Sequence, residues 1–297
     1  MELLVTAKCQ LNLVDIDGLT PLVTAIMNKH YHIAEYLLTQ PGVVADTYYT
    51  NELGKKVHVL IDCIVNNRLE FAVKLIQQGV DISYIDDDGV SVIALASYKG
   101  QKDVVQAILQ RMNSKDKANS TGEKIDMVKA ILNSIKKNDT VKATETKATI
   151  NNDDAVNPLL AAASEGHVDI VRLLLSDSNY KVNSVDKDGT TALMAAAVRG
   201  QLEVITVLLH EAEIDINQQN IDGHTALMFA YNGKNQIETL SKKYQEYMPN
   251  KANETTANSI KDSLKKQIEL IQVLLRHGAD TSILDHERHQ AADFDFL

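Results

Sequence analysis

The sequence predicts an all-α solenoid: stacked helix–turn–helix units, interrupted by two helical insertions. Three observations predict it. The chain repeats itself with a step of about 33 residues, and self-similarity at that spacing marks stacked supersecondary units. Gly, Asn and Asp recur at fixed phase between the apolar runs, where tight turns need them. Aromatic content is 5%, with no Trp, against 44% hydrophobic residues. A core of Leu, Ile, Val and Ala suits thin helix-on-helix layers.

The period is read from the first apolar residue inside each helix start: Leu22, Leu60, Ile93, Leu159, Leu193 and Leu227, with steps of 38, 33, 66, 34 and 34 residues. The step of 66 is a doubled 33. Asn67, Gly100, Gly166 and Gly200 stand seven residues after their markers. Ile33, Phe71, Val104, Ile170 and Val204 stand eleven after. Apolar pairs such as Leu37-Leu38, Leu174-Leu175 and Leu208-Leu209 close each unit.

Each element has a physical reason. Thr20-Pro21 and Asn157-Pro158 place a capping side chain before a Pro at the first helical position, where its missing N–H costs nothing. Thr190, Thr191 and Thr225 are candidates for the same cap. Ala25, Cys63, Ala96, Ala162 and Ala196 are small enough for helices to approach closely. The mid-repeat Gly ends the first helix in a left-handed cap. The second helix, as in Val168 to Leu175, keeps its apolar residues at helical spacing. "LNLVDIDG", "DISYIDDDG", "KVNSVDKDG" and "DINQQNIDG" then read as tight turns.

These residues resemble the ankyrin repeat. "DIDGLTPLVTAI", "NPLLAAASEGHVDIVRLLL", "DKDGTTALMAAAVRGQLEVITVLL" and "IDGHTALMFA" with "IELIQVLLRHGAD" carry the likeness. It covers most of the chain: about six repeats from Asp17 to Asp280, a half-unit before (Glu2 to Asn12) and a truncated one after ("DHERHQAADF"). It implies helix–turn–helix units with β-hairpin-like fingers, stacked as a curved solenoid and read as a single domain over residues 1–297. The second repeat departs from the pattern: it lacks Asp-Gly, follows a longer loop, and has His58 where Thr is usual. No repeat has the family's His after Thr-Pro-Leu. Val23, Ile61, Ala94, Leu160, Met194 and Met228 stand there, so apolar packing is expected to replace or weaken that His network.

Two stretches break the period. In the first, residues 110–155, Ser120 and Glu123 form a capping-box signature, and Ile125, Val128, Ile131, Leu132 and Ile135 share a helical face. This reads as an added helix docked on the array or as the second helix of a decayed repeat, with a flexible loop after it. The second, residues 235–267, splits the last full repeat. "QIETLSKKYQEYM" prolongs its first helix, "NSIKDSLKKQIELIQVLL" leads into its second, and "PNKANETTA" is the expected tip of a projecting hairpin. The first insertion holds nine basic and seven acidic residues, the second six and four, and the remainder 15 and 29. The repeats are therefore strongly acidic and the insertions mildly basic.

A net charge of −10 argues against nucleic acid and anionic membrane as partners. No apolar run reaches the length of a membrane span, and "MELLVTAKCQ" does not read as a signal peptide. Two Cys, Cys9 and Cys63, imply no disulfide framework, and a cytoplasmic setting is expected. Cys63 in a packing position reads as a buried structural thiol. His277, His286 and His289 among Asp280, Asp285 and Glu287 read as turn residues rather than a metal site. Asp86-Asp87-Asp88-Gly89 lacks the later Glu of a calcium loop. Neither catalytic residues nor a cofactor or metal are expected.

The expected function is that of a non-enzymatic protein–protein interaction module or adaptor. In ankyrin-like stacks the finger tips and the exposed ends of the first helices line a concave groove. Matched copy by copy, the resemblance assigns Ile16, Tyr84, Ile85, Asp87, Lys187 and Ile221 to the fingers and Tyr98, Lys99, Glu165, Val198, Arg199 and Asn232 to the helix ends. Tyr48 and Tyr49 are additional candidates. Tyr and Arg are enriched at interface hot spots, and a partner with a basic segment would suit the acidic face. Three alternatives stand beside this reading: a host-targeted bacterial or parasite effector, the regulatory or targeting part of an enzyme, and a structural tether that self-associates through the hairpin.

Overall fold

The computed structural model describes residues 10–50, 54–86, 89–118, 156–247, 254–291 and 293. Contacts gather the chain into two compact units, residues 1–84 with 103–145 and residues 85–102 with 146–297. Among the described residues no helix is long and apolar enough to cross a membrane.

In the first unit, α1 (Pro21–Met27) packs on α2 (Tyr31–Leu38). Thr20 caps α1 by accepting the Val23 N–H at 3.3 Å, with Pro21 at the first helical position. The chain then turns through Lys29, which takes φ 60. β1 (Tyr48–Thr50) pairs antiparallel with β2 (Lys56–His58), and α3 (Val59–Val65) and α4 (Leu69–Gln77) follow. The longer loop of the second repeat is thus a true β-hairpin. His58 does the capping work of the missing Thr. Its Nδ1 accepts the Leu60 N–H at 3.3 Å, so its Nε2 carries the proton and donates to Asp46 Oδ1 at 2.8 Å. The His58 side chain is fully buried. Asn67 makes the next turn at φ 57, as its place in the repeat requires.

The buried carboxylate of this unit, Asp62, is well paired. Asp62 accepts from the Tyr49 hydroxyl at 2.7 Å, from Asn66 Nδ2 at 2.8 Å and from Arg68. Burial and the bond to Asp62 push the Tyr49 phenol above its usual range. Cys63 is wholly buried and its thiol is pushed up to about 12 by burial, an inert packing residue. α6 (Lys102–Ala118) contributes Arg111, which donates to the carbonyls of Ile76 at 2.8 Å and Gly79 at 2.6 Å and satisfies the end of α4. The helix runs past Gln110, where the sequence places the start of the first insertion. The helix expected over Ser120 to Ile135 lies outside the described residues.

In the second unit, α5 (Val92–Tyr98), α7 (Pro158–Glu165), α9 (Ala192–Val198) and α11 (Ala226–Tyr247) pack in sequence as one layer. α8 (Val168–Leu175), α10 (Leu202–Leu209) and α12 (Glu254–Arg276) pack in sequence as the other. Ala96, Ala162, Ala196 and Ala230 are fully buried between helices, the close approach their size permits. Ser91, Asn157, Thr191 and Thr225 cap the first-layer helices. The Met194 and Met228 sulfurs accept the N–H of Thr191 at 3.4 Å and of Thr225 at 3.5 Å, each within its own helix cap.

The fingers share one device. Asp86, Asp186, Asn220 and Asp285 each accept the N–H four residues on, at 2.8 Å in every case. Fingers then bond edge to edge, with Ile221 N–H to Asp188 O and His286 N–H to Asp222 O, both at 3.0 Å. Gly223 is held at φ +82 with the backbone of His286 2.9 Å from where a Cβ would stand. α11 does extend the first helix of the sixth repeat, and it packs along α12. Of the expected tip, 254–257 is already helical, and 249–253 lies outside the described residues.

A candidate interaction groove on the second unit

Side by side, α5, α7 and α9 leave a groove of about 540 Å³ below the fingers. Its floor is apolar, from Ala94, Leu95, Leu160 and Ala161, with Val90 and Val156 at one side. Tyr98 forms one wall and stays 52% exposed at the end of α5. Lys187, exposed in the finger turn, and Asp186 edge the groove.

Tyr98 is held from behind. Its carbonyl is bonded to His167 Nε2 at 3.0 Å, and the imidazole passes so close to Gly100 that a Cβ there would come within 2.6 Å of it. Lys187 is fixed by its turn, since Asp186 Oδ1 takes the N–H groups of Asp188 at 2.9 Å and Thr190 at 2.8 Å. Glu165 and Arg199 pair at 3.5 Å, the Arg side chain 58% exposed. A surface pair of this kind contributes little to stability.

Of the residues expected at the interface, the groove brings together Tyr98 and Lys187, with Glu165 and Arg199 paired at neighbouring helix ends. Lys99 is exposed at the end of α5, Val198 is half-buried, and Asn232 is exposed and accepts a bond from Gln236 at 3.3 Å. Ile221 is 58% exposed at a finger tip, and Ile85 is half-buried in a bridge to Ser91. In the first unit, Ile16 is fully exposed and Tyr84 is half-buried against His58. Asp87 lies outside the described residues. The apolar floor was not anticipated. Its signal was Leu95 together with Leu160, apolar side chains that the stacking of markers does not itself require.

His224, His277 and His289 have structural partners. Asp285 Oδ2 lies 3.3 Å from both His224 Nε2 and His289 Nδ1, and His277 Nδ1 bonds to the Val273 carbonyl at 2.8 Å. Burial works against the Asp285 carboxylate, but the N–H bonds and His289 hold it below the usual range. No group of three metal-ligating side chains is found among the described residues.

Stacked helix pairs joined by turns at a fixed phase define a repeat-built solenoid protein. The family described as ankyrin repeats (3 copies) matches residues 1–86 and 117–220, more than half of the sequence. The chain belongs to the ankyrin repeat family, whose repeats are protein–protein interaction modules. Solved structures share the fold. The ankyrin repeat domain of Bcl-3, a member of the IkappaB family, is 18% identical with a TM-score of 0.58, over 94% of each chain. The ankyrin repeat domain of human ASB11 is 16% identical with a TM-score of 0.58, over 93% of this chain and 91% of that one. The ankyrin repeat protein EF0377 is 18% identical with a TM-score of 0.51, over 79% and 88%. The search of curated proteins finds no match.

Proposed function

We propose that the second unit binds a partner protein by seating an apolar side chain in the groove of α5, α7 and α9. The observation that carries this is the juxtaposition of an apolar floor with a half-exposed Tyr98, whose backbone carbonyl is held by His167, and an adjacent Lys187. Tyr supplies large contact area at small entropic cost, and interface energy concentrates on such anchors. The groove's edge carries both signs, Lys187 beside Asp186. Charges there would set register, while the acidic excess of the repeats would speed encounter with a partner bearing a basic segment. The chemistry is complementarity of shape and charge, without bond-making.

The test is quantitative affinity capture with the wild-type chain and the Tyr98→Ala, Lys187→Glu double variant. Partners that use the groove should be lost by tens-fold or more, as truncation of an interface Tyr commonly costs about 2 kcal/mol or more. Retention of every wild-type partner by the variant overturns the assignment.

A further inference from the structure

The β-hairpin of the second repeat gathers an aromatic and acidic cluster that capping alone does not require. Tyr48 and Tyr84 have ring centroids 5.7 Å apart at 60°. Both stand on the buried His58, Tyr48 edge-on at 4.7 Å and Tyr84 stacked at 5.1 Å. Both tyrosines are half-buried, so the corner they form is fixed from below and reachable from outside. Two carboxylates lie behind it. Asp46 Oδ1 accepts from His58 and, at 3.2 Å, from the Asp81 N–H, which brings Asp81 alongside. The Asp46 side chain remains 45% exposed. The Tyr48 phenol is raised by burial and then by the charges of Asp46 and Asp81, so the field at the ring is negative.

A cation already sits there. Lys56 Nζ lies over the Tyr48 ring, 4.4 Å from its centroid. It comes from the facing strand, where it pairs with Thr50. Lys56 is itself exposed, so its ammonium can leave the ring for solvent without disturbing the core. The resident ammonium shows the chemistry this corner takes: a cation over a ring, next to a carboxylate that is still partly exposed.

We infer that Tyr48 and Tyr84, backed by Asp46 and Asp81, form a receptor for one lysine or arginine side chain of a partner protein, with Lys56 as the resident cation that the partner displaces. A ring face plus carboxylates is what a guanidinium or ammonium group seeks when it leaves water. The buried His58 bonds hold the rings in place before binding, so little order remains to be imposed. The inference does not rest on the groove of the second unit.

The experiment is a nuclear magnetic resonance titration of the full chain with N-acetyl-arginine amide, using N-acetyl-glutamine amide as the neutral control. The ring signals of Tyr48 and Tyr84 should move with the arginine probe and not with the control. Lys56→Met should tighten binding by about two- to fivefold, the weight of one exposed cation–π contact. Lys55→Met makes the same change of net charge one residue away and should tighten it less. Tyr48→Leu should abolish the response, and Tyr98→Ala should leave it intact. Equal affinities for Lys56→Met and Lys55→Met, or ring shifts no larger than those with the neutral probe, overturn the assignment. Because Lys56 is exposed, this comparison stays decisive even if Tyr48→Leu loosens the hairpin.

Discussion

The fifth and sixth repeats begin alike, with Thr191-Ala-Leu-Met194 and Thr225-Ala-Leu-Met228, and then diverge. Seven residues past the marker the fifth has Gly200 at φ 71, which ends α9 and turns the chain. The sixth has Lys234 there, a good helix former, and α11 runs on to Tyr247. Yet the second helix of the sixth repeat is packed on α10 as its place requires. The residue that restores register is Gln267. Its Nε2 donates to the carbonyls of Ala197 and Ala230, both at 2.8 Å, and it is 1% exposed. Gln201 does a lesser version of the same work, donating to Ser164 O at 3.0 Å. The lesson is that the stack is set by side-chain clamps between repeats and not by the length of chain between two helices. Loop length adds only slowly to the cost of closure.

Three measurements sharpen this comparison, from the largest expected effect to the smallest. Gln267→Ala removes the side-chain donor that the Ala197 and Ala230 carbonyls share and empties the space between three helices. It should destabilise by about 3 kcal/mol, against about 1 kcal/mol for Gln201→Ala, in urea unfolding. Equal losses would show that Gln267 is merely a surviving repeat residue and not the clamp. Gly233→Ala comes next. A Cβ there would stand 2.7 Å from Val198 O and from Gln267 Nε2. Crowding of that kind costs about 1–3 kcal/mol, and the gain in helix propensity returns about 1 kcal/mol, so a net loss of about 1 kcal/mol or more is expected in the same assay. A stabilised variant would mean that α12 is free to move outward. The smallest effect is a difference of nearly zero. Thr191→Ala and Thr225→Ala remove the same cap and should each cost about 1 kcal/mol, read as matched shifts of the unfolding midpoint. A much larger loss at Thr225 would tie the long helix's start to the hairpin's packing.

Residue types at fixed phase made much of the fold legible. Thr20, Asn157, Thr191 and Thr225 cap where expected, because a cap is a contact within three residues. The repeat phase marks Asn67 as a turn residue but gives no sign of the same conformation at Lys29 and Arg288, at φ 60 and φ 68. Nothing local favours either residue in that conformation; the neighbouring helices and fingers impose it. The match of "QLEVITVLL" to "QIELIQVLL" carries the signal for the Gln267 clamp in its first residue, but the helical period speaks only for its apolar positions. At the candidate groove, Tyr98 and Lys187 were legible as exposed copies of a repeat position. The apolar floor beside them was not, because exposure depends on how far apart neighbouring helices stand.

The sequence by itself determined the family, the repeat phase, the capped helices and the turn residues, because each is written in contacts that close within a few positions. Tertiary structure decided which side chains meet across repeats. It paired Glu165 with Arg199, set Asn183 to accept the Asp215 N–H at 2.9 Å, and joined His58 to Asp46 and Tyr84. Such contacts span from 12 residues, for His58 with Asp46, to about one repeat of chain. They exist only once the helices have stacked and the distances between layers are fixed.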